Sequence, residues 1–238
     1  MSQKNINRVI RIPEQGIGGT KKEYSLLSKI PSADKKNRID RVLIPESLLK
    51  RRIKALAREI CRDYAEVNEL YLLSVLKGAF VFASDLGREM FSIYGLEGPE
   101  LRFDFIKALT YGEDIKQVQE SERSVKIELR SWNLKGKDIL LIEDIVDQGF
   151  TLWAIVQNLK EKEHPNSLKV CALLSKVLKN PTREVLELKA KLTLDYLGFE
   201  VPDRWVAGYG IDAGGDFRQL PFIVAVREVY YLKKKDFK

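Results

Sequence analysis

Asp138-Ile-Leu-Leu-Ile-Glu-Asp-Ile-Val-Asp-Gln-Gly-Phe-Thr-Leu152 is the stretch that decides the fold. We predict a strand over Asp138–Val146, and its run Ile139–Ile142 is apolar at every position, as in a central parallel strand that is covered on both faces. The polar residues Asp147–Gly149 then lead into a helix that we predict over residues 151–160. A strand followed by a tight turn and a helix is the basic unit of a parallel sheet, in which ligands bind beyond the carboxyl ends of the strands.

Strands and helices alternate on both sides of this stretch. Further strands are predicted at Val42–Ile44, Leu70–Leu76, Leu101–Leu109, Val125–Leu129 and Leu168–Leu174. One helix should begin at Pro45, because proline suits a first helical turn, and another should span Phe80–Tyr94. The first of these has apolar residues at helical spacing, namely Leu49, Ile53, Leu56, Ile60 and Tyr64. The alternation predicts an α/β fold with a parallel sheet flanked by helices.

The net charge of +7 is concentrated at the two ends of the chain. Residues 1–40 carry nine Lys/Arg and four Asp/Glu, residues 227–238 carry five and two, and the remainder has a net charge of −1. We therefore predict a basic N-terminal arm over 1–40, partly ordered at best, and one domain over 41–238. Because a nucleic-acid reader concentrates basic charge on a folded face, this distribution argues against a nucleic-acid partner.

The residue counts exclude several kinds of chemistry. His164 is the one histidine and lies beside a proline in a polar stretch, so we predict a loop residue with no catalytic role. Cys61 and Cys171 are the two cysteines, too few for a disulfide framework or, with one histidine, for a zinc site. No apolar run is long enough to span a membrane and no signal peptide is present, so we expect a cytoplasmic protein without a membrane partner.

The end of the central strand carries the most informative polar residues. The adjacent carboxylates Glu143 and Asp144 repel each other and require a cation, a hydroxyl-rich ligand or solvent. The turn Asp147–Thr151 places amides and a hydroxyl at a helix N-terminus, which suits a phosphate. Together they suit a phosphorylated ribose. An ordinary strand–turn–helix with Asp147 as N-cap explains the same pattern about equally well.

Leu140–Leu152 resembles the 5-phosphoribosyl pyrophosphate (PRPP) motif of type I phosphoribosyltransferases, and Glu143–Asp147 resembles the hypoxanthine-guanine branch. The resemblance extends over about residues 40–226. It implies a parallel α/β core with a smaller hood for the purine. It also implies Mg²⁺-dependent transfer of phosphoribose from PRPP to a 6-oxopurine, releasing pyrophosphate.

The resemblance also assigns the PRPP site. Lys77-Gly78 matches the pyrophosphate loop, in which a non-proline cis peptide precedes the lysine, and Arg218 matches a second pyrophosphate ligand. Glu143 and Asp144 would hold the ribose hydroxyls. The 5′-phosphate would bind the turn formed by Asp147, Gln148, Gly149, Phe150 and Thr151. Mg²⁺ would bind near Glu143, Asp144 and Asp212.

The purine site follows from a second match, at Asp195–Asp212. Lys176 matches the lysine that contacts the exocyclic oxygen of the base, and Trp205 matches the aromatic residue that stacks on it. The backbone of Val206, with Asp212 nearby, would contact the edge of the base. Asp147 would act as general base near purine nitrogen 7, and the pair Thr110-Tyr111 would begin a mobile lid.

Two positions of the phosphate turn depart from the family pattern. Gln148 replaces the usual threonine, whose hydroxyl donates to the 5′-phosphate, although the Gln148 amide can also donate. Phe150 replaces a small or polar residue and offers only its backbone N–H. Both changes predict reduced phosphate affinity or a slightly reshaped turn.

Two alternatives stay open at this point. The chain could be a non-catalytic regulator that senses PRPP or nucleotides on the same fold, although Asp147 would then have no purpose. It could also use another base, such as xanthine or adenine; Lys176 disfavours adenine because a cation prefers an oxygen acceptor. The resemblance further implies a homo-oligomer, either a homodimer or a homotetramer.

Overall fold

A seven-stranded sheet forms the centre of the computed structural model, which describes residues 9–95, 97–110, 125–129 and 133–232. Its strands are β1 (Ile10–Arg11), β3 (Glu69–Leu76), β4 (Glu100–Thr110), β5 (Val125–Leu129), β6 (Asp138–Val146), β7 (Ser167–Val177) and β8 (Tyr196–Pro202). Their order is β1-β8-β7-β6-β3-β4-β5, and all neighbours are parallel except β4 and β5. The predicted α/β class and parallel sheet are confirmed.

Helices cover both faces of this sheet. One face packs against α3 (Glu46–Asp63) and α4 (Phe80–Tyr94), and the other against α5 (Phe150–Asn158) and the π-helical turn at 159–163. Alternate residues of β6 divide between the faces, with Leu140 and Ile142 toward α3 and α4, and Ile139 and Leu141 toward α5. This two-sided burial explains why the run Ile139–Ile142 is apolar at every position.

A smaller antiparallel sheet forms the predicted hood. It contains β2 (Ile39–Ile44), β10 (Ile223–Val226) and β9 (Val206–Ala207) in that order. Its own apolar core includes Leu27, Phe217 and Phe222. The hood therefore has a core separate from the two cores that flank the main sheet.

The N-terminal arm is more ordered than predicted. Within it lie β1, α1 (Lys21–Ser28) and α2 (Ala33–Arg38). Thr20 and Glu23 form a capping box, and the buried Glu23 carboxylate also accepts a hydrogen bond of 2.7 Å from the Glu46 amide, which fixes α1 to the start of α3. The expectation of partial order is therefore wrong for residues 9–40, while the division into arm and domain at residue 40 stays a prediction.

Most other predicted elements are confirmed, and a few were missed. The bounds of α4, β5 and β6 are as predicted. The strands β3, β4 and β7 are longer than predicted. The elements α6 (Arg183–Lys191), β8, β10 and α7 (Val229–Leu232) were not predicted. His164 lies in an exposed loop as predicted, and both cysteines are free and buried. None of the described helices has the length and apolarity needed to cross a bilayer.

Candidate functional site

One buried carboxylate and one partly buried carboxylate lie side by side at the carboxyl end of β6. The Glu143 carboxylate is 6% exposed and accepts a hydrogen bond of 3.1 Å from the Asp144 amide, and the Asp144 carboxylate accepts one of 2.8 Å from the Ile145 amide. Burial, together with the neighbouring Asp144 charge, raises the pKa of Glu143 well above its usual range. Burial also raises the pKa of Asp144, which the Arg218 charge partly offsets. Such a pair favours a bound cation.

The loop from β3 to α4 meets these carboxylates at Gly78. The peptide bond between Leu76 and Lys77 is cis, as the resemblance implied. A Cβ on Gly78 would lie only 1.6 Å from Asp144 Oδ2, and a Cβ on Gly210 only 2.2 Å from the Gly78 carbonyl oxygen. Because neither position can hold a side chain, the loop, the end of β6 and the hood come into direct contact here.

Arg218 binds the backbone of Gly210, which lies against Gly78. Its Nη1 donates a hydrogen bond of 2.7 Å to the Gly210 carbonyl, and its Nη2 pairs with Asp212. The other Asp212 oxygen accepts a hydrogen bond of 2.7 Å from the Gly215 amide. We call Gly78, Glu143, Asp144, Asp212 and Arg218 the carboxylate cluster. The fold thus brings together residues that are predicted to bind pyrophosphate, ribose and metal.

The turn from β6 to α5 presents the backbone amides at the start of the helix. Gly149, with φ of 98°, is the N-cap residue of α5, and no side chain caps this end of the helix in the described structure. The Asp147 carboxylate accepts a hydrogen bond of 2.6 Å from Lys176 Nζ. Asp147 is therefore not the N-cap residue, in contrast to the alternative interpretation of this turn. α5 begins at Phe150, one residue before the predicted start at Thr151.

A cavity of about 360 Å³ opens beside this turn. It lies between the ends of β6 and β7, with α6 and the segment before β9 around it. Four predicted site residues line it together with six others: Asp147, Gln148, Lys176 and Trp205, with Leu178, Asn180, Pro181, Thr182, Val185 and Asp203. The structure thus brings the predicted base, lysine and aromatic residue into one space.

Lys176 is fixed through both its side chain and its backbone carbonyl. Its side chain is 12% exposed and its ammonium pairs with Asp147, while its carbonyl oxygen accepts a hydrogen bond of 2.8 Å from Lys189 Nζ. Burial lowers the pKa of Lys189. Lys189 was not among the predicted site residues, because its helix α6 was not predicted. The Thr182 side chain, which accepts a hydrogen bond from the Val185 amide, was the available signal for that helix.

Trp205 lies at the rim of the cavity and is 43% exposed. Its carbonyl accepts a hydrogen bond of 2.8 Å from the Val226 amide, and Val206 follows in β9 opposite Ala225. The hood sheet therefore fixes the backbone of this aromatic residue. Of the predicted lid, Thr110 ends β4 opposite Val125, and Tyr111 lies outside the described residues.

The oxygen ligands of the carboxylate cluster fit Mg²⁺. Among the described residues no three His, Cys, Asp or Glu side chains converge as an all-protein metal site. Mg²⁺ is commonly held by one or two carboxylates plus substrate phosphates. Glu143 is buried, Asp144 lies partly buried beside it, and this pair matches that arrangement.

Comparisons with known proteins agree with this geometry. The family model "Phosphoribosyl transferase domain" matches residues 45–213. Over 192 residues the chain is 34% identical to a hypoxanthine-guanine phosphoribosyltransferase of Dictyostelium discoideum, covering 81% of this chain and 98% of that one. A Bacillus subtilis protein of the same name is 33% identical, with 82% and 98% coverage.

Solved structures give the same result. A hypoxanthine-guanine phosphoribosyltransferase from Bacillus anthracis aligns with a TM-score of 0.64 at 34% identity, covering 79% of this chain and 99% of that one. A Staphylococcus aureus hypoxanthine phosphoribosyltransferase aligns with a TM-score of 0.68 at 28% identity, covering 85% and 99%. The sheet, the hood and the sequence match all agree: this chain belongs to the phosphoribosyltransferase family.

Proposed function

We propose that the protein transfers phosphoribose from PRPP to a 6-oxopurine in the presence of Mg²⁺, giving a nucleoside monophosphate and pyrophosphate. One observation carries the proposal. The cavity that contains Asp147, Lys176 and Trp205 and the carboxylate cluster lie at the carboxyl ends of adjacent parallel strands. Relatives with 33–36% identity bear the names of enzymes with this activity.

PRPP fits the turn and the carboxylate cluster. The uncapped amides at the start of α5 suit the 5′-phosphate, since a helix N-terminus favours anions. Glu143 and Asp144 offer acceptors for ribose hydroxyls. Lys77, Gly78 and Arg218 surround the position for pyrophosphate, and the planar guanidinium of Arg218 suits phosphate oxygens. When bound, Mg²⁺ would neutralise the leaving pyrophosphate.

The purine fits the cavity beside Trp205. Stacking on an aromatic face contributes about 1–3 kcal/mol per base. Lys176 donates to the exocyclic oxygen of a 6-oxopurine, whereas adenine presents an amino group there, which offers the ammonium no acceptor on the base. Val206 and Asp212 would contact the opposite edge of the base. Lys176 therefore selects hypoxanthine, guanine or xanthine over adenine.

Asp147 takes the proton that the base loses as the new glycosidic bond forms. The 2.6 Å contact with Lys176 Nζ keeps the carboxylate at the edge of the cavity. A general base must reach its proton within hydrogen-bond distance, and this contact holds Asp147 in one orientation. The lid that begins at Thr110 and Tyr111 would exclude water from the reacting sugar.

A panel of four bases tests the proposal. Purified protein is incubated with PRPP, Mg²⁺ and hypoxanthine, guanine, xanthine or adenine, and nucleotide formation is measured by chromatography. We expect product from one or more of the three 6-oxopurines and none from adenine. PRPP binding without product from any base would favour the non-catalytic regulator, and the altered turn residues Gln148 and Phe150 would then need explanation.

The homo-oligomer is supported by an exposed aromatic surface. Phe80, Phe91, Phe103 and Phe105 are each 39–58% exposed on α4 and β4. Beside them lies a mainly apolar groove of about 560 Å³. Such a surface is typical of a protein interface. We propose that a second copy covers it, giving a dimer or a tetramer. The buried free cysteines support a reducing, cytoplasmic location.

Light scattering on a sizing column tests the oligomer. The wild-type protein should elute as a dimer or tetramer, and Phe91→Glu should shift it to the monomer. Leu186→Glu, which changes an equally exposed apolar residue on α6, serves as the control and should leave the mass unchanged. A monomeric wild type would contradict the proposal.

A further inference from the structure

We propose that Glu14, from the N-terminal arm, is a positioning residue that holds together the two sides of the purine cavity. The inference rests on the proposed function, because it assigns the cavity beside Trp205 to the base. Glu14 has no place in the resemblance to the family, and the family match begins only at residue 45. Its role is argued from the contacts that follow.

The Glu14 carboxylate bridges two segments. Its Oε1 lies 3.2 Å from Lys179 Nζ, and its Oε2 accepts a hydrogen bond of 3.1 Å from Arg204 Nε. Lys179 lies between Leu178 and Asn180, and Arg204 between Asp203 and Trp205, and all four neighbours line the cavity. One carboxylate thus ties the segment after β7 to the segment before β9.

Two further hydrogen bonds stabilise the same arrangement. The Lys179 amide donates to the Asp203 carboxylate at 3.2 Å, and Arg204 Nη1 donates to Asp40 Oδ2 at 3.3 Å. Hydrogen bonds from Arg204 and Lys179 lower the pKa of Glu14, so its carboxylate is ionised at neutral pH. The bridge is therefore charged under the conditions of the assay.

The N-terminal arm anchors Glu14 to the main sheet. β1 pairs with β8, and the amide of the buried Ile12 donates a hydrogen bond of 2.8 Å to the Glu200 carbonyl. Glu14 lies only two residues beyond this anchor. Without the Glu14 carboxylate, the segments at 177–181 and 203–205 lose the side chain that contacts both of them. Trp205 lies in the second segment. We infer that Glu14 contributes to base binding rather than to PRPP binding.

Steady-state kinetics of Glu14→Ala test the inference, with Arg11→Ala as the matched control. Arg11 makes the other ion pair of this part of the arm, with Glu200 at 2.7 Å, and lines no part of the purine cavity. For Glu14→Ala we expect the KM for hypoxanthine to rise about two- to fivefold, the range that an exposed ion-pair network supports. The KM for PRPP and kcat should stay within twofold of wild type.

The control and a conservative variant distinguish a positioning role of Glu14 from a general effect on the stability of the arm. Arg11→Ala should leave both KM values unchanged, and Glu14→Gln, which retains one acceptor oxygen, should give a smaller rise than Glu14→Ala. Equal effects of Glu14→Ala and Arg11→Ala on the KM for hypoxanthine, or no effect of Glu14→Ala, would overturn the inference. Loss of wild-type turnover with every base would instead refute the proposed function, and the inference with it.

Discussion

At the scale of single residues, the pair of Lys176 and Asp147 explains most about the site. Each residue could be assigned a role from its motif. Their contact could not be predicted, because 29 residues separate them in sequence. The contact exists because β6 and β7 are parallel neighbours whose carboxyl ends lie side by side. The pair gives a mostly buried donor and a fixed acceptor on one side of the cavity.

Lys176→Met should reduce the preference for a 6-oxopurine. Methionine keeps the length of the side chain but cannot donate to the exocyclic oxygen. We expect kcat/KM for hypoxanthine to fall about 10- to 100-fold, the cost of losing a hydrogen bond from a charged group. Lys162→Met, at an exposed position of the π-helical turn, is the control. A variant with unchanged kcat/KM for hypoxanthine would show that Lys176 does not contact the base.

At the scale of elements, the loop from β3 to α4 shows what the sequence cannot reveal. From sequence alone, Lys77-Gly78 is an ordinary turn after a strand. In the structure Gly78 is required, because the Asp144 carboxylate occupies the space of a side chain. Such a contact depends on two elements that are distant in sequence and cannot be predicted from either of them.

Gly78→Ala should therefore damage both the fold and the activity. The added Cβ would overlap Asp144 Oδ2 at 1.6 Å, so the loop or the carboxylate must move. We expect a loss of about 1–3 kcal/mol in the free energy of unfolding and a raised KM for PRPP. Gly95→Ala is the control, since its Cβ would meet nothing within 4 Å, although its φ of 59° adds some strain. Equal KM values for PRPP in both variants would contradict this account.

The elements with a strong pattern were predictable, and those shaped by tertiary contacts were not. β6 contains the apolar run Ile139–Ile142 and α4 is bounded by turn residues, so both were predicted with the right bounds. β8 contains Gly198, a poor strand residue that is tolerated because its missing side chain lets the Leu173 carbonyl of β7 approach to 2.4 Å from the Cβ position. Its place beside β7 depends on that contact.

At the scale of the whole molecule, the arm is part of the fold rather than an appendage. Its basic composition and low apolar content suggested a solvated segment. The structure instead adds β1 to the main sheet, fixes α1 through the buried Glu23 and packs Leu27 into the hood core. The few apolar residues that accomplish this are too widely spaced to form a sequence pattern.

The cysteines report on the integrity of the whole fold. Burial raises the pKa of Cys61 to about 11 and that of Cys171 further, so both thiols stay protonated at pH 8. Because only the thiolate reacts, a thiol reagent at pH 8 should label neither cysteine in the native protein and both in denaturant. Rapid labelling of the native protein at pH 8 would show that these cores are less closely packed than the structure indicates.

The most direct test of the central claim is nucleotide formation from PRPP, Mg²⁺ and hypoxanthine by the wild type and by Asp147→Ala, with PRPP binding measured by calorimetry on both. We predict product from the wild type and a turnover about 10²–10⁴-fold lower in the variant, the usual contribution of a general base. PRPP affinity should stay within a few-fold, because the α5 amides and the carboxylate cluster remain. Absence of product from the wild type, or near-wild-type turnover by Asp147→Ala, would contradict the account.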